Sequence, residues 1–249
     1  MKLNVNVWRQ GGPAENGAFE KHRVDDLEPS LSVLEMLDKM NDDIVKSGGE
    51  AITFESDCRE GICGACGIVV NGRPHGPVVN TPACHQRLSS FRDGDTVTIE
   101  PLRSGSYPVI KDLMVERGGL TDVLESGGHV EVAAGTAPEA DSDRITFETA
   151  ETALDFAACI GCGACVAACP NDSANLYLGA KLAHLAMLPI PASERGKRAK
   201  AMLEVADGNF GPCSLHGECA EVCPANIPLV AISYVNRERI RSGLRAKND

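Results

Sequence analysis

Apolar and polar residues alternate at the start of the chain. Leu3, Val5 and Val7 share one side of a strand, and Lys21–Val24 supplies a partner strand. Ser32-x-x-Glu35 reads as a capping box opening a helix with Leu34, Leu37 and Met40 on one side. Ile68-Val-Val-Asn71-Gly72-Arg73 predicts a hairpin, because Asn-Gly suits the type I′ turn that matches strand twist. Thr96–Glu100 alternates again and closes a first unit at residues 1–104, with Arg103-Ser-Gly-Ser106 as its boundary. From Pro108 the spacing turns helical. Helices are predicted over Ala150–Ala157, Leu176–Leu188 (ending before Pro189), Glu194–Asp207 and from Pro228 to about Arg241. Leu182, Leu185, Met187 and Leu188 on one of them read as a core set or as a face that packs on a membrane-anchoring partner. Ser126–Arg144, rich in Gly, Ala, Pro and acids, predicts a long surface loop, so residues 105–249 read as a helical second unit.

Composition narrows the class. At 249 residues the chain suits two compact halves better than one, and its aromatic content of 4% leaves few large rings to fill a core. A formal charge of −11 argues against a nucleic-acid partner. Bases gather late, at Arg195, Lys197, Arg198 and Lys200, then at Arg237, Arg239, Arg241, Arg245 and Lys247. They read either as solvated helix faces or as a side attracted to anionic headgroups. Met1–Gln10 has no secretory pattern and no run reaches the roughly 18–20 apolar residues of a span, so a cytosolic chain, or one held at a membrane by partners, is expected.

The 11 cysteines carry the chemistry. In a reducing compartment such density points to metal rather than disulfides. Cys58-Arg-Glu-Gly-Ile-Cys63-Gly-Ala-Cys66, with Cys84 further on, has the plant-type spacing for a [2Fe–2S] cluster; zinc is the alternative ligand for these four. Gly61, Gly64 and Gly67 are expected to let the backbone wrap the site and take positive φ. Cys159-Ile-Gly-Cys162-Gly-Ala-Cys165-Val-Ala-Ala-Cys169-Pro170 is the bacterial ferredoxin run. Its echo, Cys213-Ser-Leu-His-Gly-Glu-Cys219-Ala-Glu-Val-Cys223-Pro224, keeps three cysteines and places His216 where the second belongs. In two-cluster ferredoxins the fourth cysteine of each run serves the other cluster. That exchange gives a complete set, Cys159, Cys162, Cys165 and Cys223, for [4Fe–4S]. The short set, Cys169, Cys213 and Cys219, most simply holds [3Fe–4S], with His216 either a fourth ligand or the occupant of a vacant position. His85, beside Cys84, reads as a hydrogen-bonding neighbour of the first cluster. No catalytic acid, base or nucleophile stands out.

These three motifs, with Pro108-Val-Ile-Lys-Asp-Leu113 after the first unit, resemble the iron–sulfur subunit of succinate dehydrogenase or fumarate reductase, the complex II family, over almost the whole chain. The resemblance implies an α+β chain: an N-terminal plant-type ferredoxin (β-grasp) domain, then an all-helical bacterial-type two-cluster ferredoxin domain. It also implies a partner flavoprotein with covalent FAD, where succinate and fumarate interconvert, and a membrane anchor, with or without haem, near which quinone reacts. This chain is then the wire between them, held peripherally at the cytoplasmic face of the cell membrane. Family members with a ubiquinone site beside the third cluster carry Trp and His where this chain has Ala174 and Ser214, so that pattern does not transfer. The competing readings are a free soluble multi-cluster carrier and the iron–sulfur subunit of another flavin dehydrogenase or heterodisulfide-type reductase.

Overall fold

The computed structural model describes residues 1–131 and 144–245. β1 (Leu3–Arg9) pairs antiparallel with β2 (Ala18–Val24), Val5 opposite His22. The alternation has its expected effect: Leu3, Val5 and Val7 are fully buried and line the first core. α1 (Val33–Lys46) begins at the capping box. Glu35 N donates to Ser32 Oγ (3.2 Å), and Ser32 N donates to the Glu35 carboxylate (2.6 Å). Its buried face is wider than the spacing suggested, because Val33 and Met36 join Leu34, Leu37 and Met40. β3 (Ile68–Val70) and β4 (Arg73–Pro74) form the hairpin, with Asn71 at φ 51° and Gly72 at φ 75°, both left-handed as type I′ requires. β5 (Thr96–Pro101) runs parallel to β1 and antiparallel to β3, giving the order β2-β1-β5-β3-β4.

The second half is not wholly helical. β6 (Val109–Lys111) and β7 (Met114–Val115) make a small hairpin where helix was expected. Its tip explains it. The buried Asp112 carboxylate accepts from Gln10 N (2.9 Å) and Thr53 N (2.9 Å), while Leu113 N donates to Thr53 O (3.1 Å), so the hairpin is stitched to the first unit.

Helices follow: α2 (Gly118–Val123), α3 (Phe147–Ala157), the short α4 (Ala164–Ala167), α5 (Asn175–Met187), α6 (Ala192–Asn209), the short α7 (Glu218–Glu221) and α8 (Ala231–Arg245). α3 begins earlier than predicted because Thr146 caps it, accepting from Thr149 N at 3.2 Å. One core joins α2, α5, α6 and α8 through Leu120, Leu178, Leu182, Met202 and Val235; a smaller one packs Phe156 of α3 against Leu176 and Ile232. Leu182 and Leu185 are core residues as read, while Met187 and Leu188 are only partly buried against these cores.

The surface loop expected at Ser126–Arg144 lies mostly outside the described residues. Its first part is not free chain. A wide helical turn continues from α2 to Gly128, and Arg198 of α6 reaches into it. Arg198 Nε donates to Gly127 O (2.8 Å), and its terminal nitrogens donate to Glu131 O (2.8 Å) and His129 O. Arg198 is therefore buried structural glue rather than part of a solvated or lipid-facing basic stripe. Arg239 and Arg241 are likewise engaged, with Asp207 and Glu238. The Arg245 side chain and Lys247 lie outside the description.

Candidate metal centres

The first cysteine set sits on the irregular loop between α1 and β3, with Cys84 delivered by a single tight turn at Ala83–His85. Backbone donors already point at sulfur: Glu60 N and Cys63 N reach Cys58 Sγ at 3.3 and 3.4 Å, and Ala65 N reaches Cys63 Sγ at 3.4 Å. The N–H groups of Glu60, Ile62 and Cys63 hold the Cys58 thiol down to about 7. Cys66 and Cys84 are buried neighbours; burial pushes the Cys66 thiol up to about 12, although the Cys84 N–H opposes it. Gly61 and Gly64 take φ 73°, as expected. Gly67 does not; it lies under Leu102, whose Cδ1 is 2.3 Å from where a Cβ would stand. His85 Nε2 lies 3.3 Å from Arg59 O, inside the same loop.

The two cysteine runs interleave. One cavity is lined by Cys159, Cys162 and Cys165 together with Cys223 of the second run. A neighbouring cavity is lined by Cys213 and Cys219 together with Cys169 of the first run, and by His216. Burial pushes Cys162 up to about 12 and Cys165 well above the ordinary thiol range. It also raises Cys159, against Lys181, and takes Cys219 up to about 11. Metal entering these sites must therefore displace protons. Ile227 N donates to Cys223 Sγ (3.4 Å) and Leu215 N to Cys213 Sγ (3.4 Å), the donor pattern that stabilises negative sulfur. Among the described residues no three His, Cys, Asp or Glu side chains converge as a single-ion site requires. Grouped thiols with N–H donors aimed at them fit iron–sulfur groups.

The first two sets are held together by a residue that no motif flags. Arg117, at the start of α2, donates to Gly64 O (3.0 Å) and Cys162 O (2.9 Å) from one nitrogen, and to Glu55 (2.6 Å) and Ala65 O (3.2 Å) from the other. The planar guanidinium fork makes such multiple contacts possible. Beside it the two loops touch backbone to backbone, since a Cβ on Gly64 would lie 2.2 Å from Ile160 O. Arg73 of the β3–β4 hairpin adds a hydrogen bond to Glu221 O of the second run. Nothing local in the sequence announces Arg117, because all its partners are at least 45 residues away.

Comparison with known proteins agrees with this geometry. Residues 4–122 match the family described as "2Fe-2S iron-sulfur cluster binding domain" and residues 152–224 match "4Fe-4S dicluster domain". The fumarate reductase iron–sulfur subunit of Wolinella succinogenes is 30% identical over 231 residues, covering 89% of this chain and 90% of that protein. The succinate dehydrogenase iron–sulfur subunit of Bacillus subtilis is 26% identical over 219 residues, 84% of this chain and 82% of that protein. A chain of the Mycobacterium smegmatis Sdh1 complex in the apo form shares the fold, with a TM-score of 0.68 at 22% identity over 100% of this chain and 98% of that one. A [2Fe–2S] ferredoxin-type domain followed by a dicluster domain defines an iron–sulfur electron-transfer protein. The chain belongs to the family of iron–sulfur subunits of succinate dehydrogenase and fumarate reductase, and is the electron-transfer subunit of such an oxidoreductase. No helix among the described residues is long and apolar enough to cross a membrane.

Proposed function

We propose that Cys58, Cys63, Cys66 and Cys84 hold [2Fe–2S], that Cys159, Cys162, Cys165 and Cys223 hold [4Fe–4S], and that Cys169, Cys213 and Cys219 hold [3Fe–4S]. The observation that carries this reading is the sharing of both cavities between the two runs, four thiols in one and three plus His216 in the other. When bound, the three groups supply one-electron carriers in series between covalent FAD on a flavoprotein partner, where succinate and fumarate interconvert, and quinone at a membrane anchor, haem-bearing or not. The chain's own residues do the rest. Glu60, Cys63, Ala65, Leu215 and Ile227 turn their N–H groups to sulfur, and Cys162 is buried beside the partly buried Cys165. Arg117 and Gly64 keep the first two loops in contact, which keeps the route short.

In this reading residues 1–104 form a β-grasp ferredoxin domain and residues 105–249 the two-cluster domain. The complex attaches peripherally at the cytoplasmic face of the cell membrane through its anchor. The test is purification of the intact complex from gently solubilised membranes, with identification of its flavin, haem and quinone and assay of succinate-dependent quinone reduction. Co-purification with a flavoprotein and an anchor, with that activity, is the expected result. A monomeric chain recovered from the soluble fraction without a flavoprotein favours a free carrier and overturns the proposal.

A further inference from the structure

Besides its hydrogen bonds, Arg117 brings a positive charge, and two of the three metal-binding loops enclose it. One guanidinium nitrogen donates to Gly64 O (3.0 Å), between Cys63 and Cys66 of the first set, and to Cys162 O (2.9 Å), the carbonyl of a member of the second set. The other donates to Ala65 O (3.2 Å), again in the first loop, and to the Glu55 carboxylate (2.6 Å). Cys63 and Gly161 line the same groove as Arg117, so both loops flank the charge. None of these partners belongs to the third set, Cys169, Cys213 and Cys219.

The charge is only partly compensated. Glu55, its ion-pair partner, is the more exposed of the two, so water screens the carboxylate more than the guanidinium. Glu116 lines the groove as well, but its carboxylate accepts from Gly118 N (2.6 Å). Two buried neighbours register the cation, one in each unit. Burial pushes the His75 imidazole down to about 4, and Arg117 adds to that shift. Burial pushes the Cys162 thiol up to about 12, while the Ala164 N–H and Arg117 pull it back, so the cation favours negative sulfur there.

We infer that the Arg117 charge raises the reduction potentials of two groups at once, the one held by Cys58, Cys63, Cys66 and Cys84 and the one held by Cys159, Cys162, Cys165 and Cys223, and that Glu55 sets how much of the charge they feel. The inference rests on the ligand sets proposed above. Reduction adds one negative charge to either group, and cluster potentials respond to the charge around them, so an enclosed cation favours the reduced form. The effect is Coulombic and needs no contact with sulfur. Because one cation serves both groups, it moves both potentials the same way and alters the step between them less than either potential.

The experiment is redox titration, followed by electron paramagnetic resonance, of purified intact complex carrying wild-type chain or one of three variants. Arg117→Met removes the charge. Its [2Fe–2S] and [4Fe–4S] midpoints should both fall, by the equivalent of a tenfold change in the one-electron equilibrium, about 59 mV, while the [3Fe–4S] midpoint stays. Arg117→Lys keeps the charge and should hold both midpoints near wild type although it weakens the clamp. Glu55→Gln removes the opposing charge, and both midpoints should rise. A purely structural clamp does not give shifts of opposite sign in Arg117→Met and Glu55→Gln, since both loosen the same contact. Should Arg117→Met lose its iron, Glu55→Gln decides: a rise in both midpoints supports the inference, and no rise overturns it. Unmoved midpoints in loaded Arg117→Met, or an equal fall in Arg117→Lys, overturn the inference and leave the ligand sets intact. Wild-type complex lacking the [2Fe–2S] or [4Fe–4S] signal overturns the ligand sets and the inference together.

Discussion

Replacing Arg117 with Met tests whether the first two metal-binding loops form one cooperative unit. The side chain is 15% exposed, and its partner Glu55 is 32% exposed. Methionine preserves much of the stem's packing and removes the hydrogen bonds to Gly64 O, Ala65 O, Cys162 O and Glu55. A net hydrogen bond is worth about 1 kcal/mol, and more when one partner is charged. The groove beside Arg117 is lined by Gly64 and Ala65, so water reaches those two orphaned carbonyls and the low end applies to them. The half-screened ion pair with Glu55 adds about 1 kcal/mol. The total is about 3–4 kcal/mol, which corresponds to a factor of roughly 150–900 in the opening equilibrium between the loops. The assay is iron release from purified complex to a chromogenic chelator, followed with the visible absorption of the bound groups. Release limited by loop opening should accelerate roughly 150-fold or more in Arg117→Met. Arg117→Lys should recover less than half of the lost free energy, because one ammonium cannot reproduce the fork. If Arg117→Met releases iron at the wild-type rate and melts with the wild-type protein, the clamp has no energetic role and the reasoning fails.

Other consequences follow from single contacts. Cys223→Ala should abolish the [4Fe–4S] signal while the [3Fe–4S] signal of oxidised protein persists, although Cys223 belongs to the second run; the reverse loss would refute the exchanged ligand sets. His216→Cys should let the third site take a fourth iron, lowering its potential and slowing quinone reduction while flavin-linked dye reduction survives; a retained [3Fe–4S] signal would place His216 away from the missing ligand's position. Ser32→Ala should cost about 1 kcal/mol of stability in denaturant titration. Ser32, through its backbone and side chain, holds the Glu35 carboxyl below its ordinary value. This contribution is therefore present above that ordinary value and lost as pH falls through the lowered one, and Glu35→Gln should flatten the dependence of stability on pH below about 5.

What the sequence disclosed is what local chemistry decides. The strand at Leu3–Arg9, the cap at Ser32 and the Asn71-Gly72 turn each follow from neighbouring residues, and the structure has them where spacing put them. The cysteine runs were legible because iron–sulfur ligation needs fixed intervals. The β6–β7 hairpin was not, since strands this short have no periodicity and depend on Asp112 finding the N–H groups of Gln10 and Thr53. Arg198 looked like part of a basic stripe, but its role is set by carbonyls that only the fold brings to it. Arg117 shares that property: its importance lies in partners far away in sequence. The helix read from Ala150 begins at Phe147 because the Thr146 hydroxyl caps it, a contact the sequence reading did not include.

The central claim, that eleven cysteines divide four, four and three among distinct groups, is tested most directly by electron paramagnetic resonance with iron analysis on purified intact complex. Oxidised complex should give a [3Fe–4S] signal, stepwise reduction should bring in [2Fe–2S] and then a lower-potential [4Fe–4S] signal, and iron should total about nine atoms per chain. Bound zinc in place of iron, or oxidised complex without a [3Fe–4S] signal, would contradict the account.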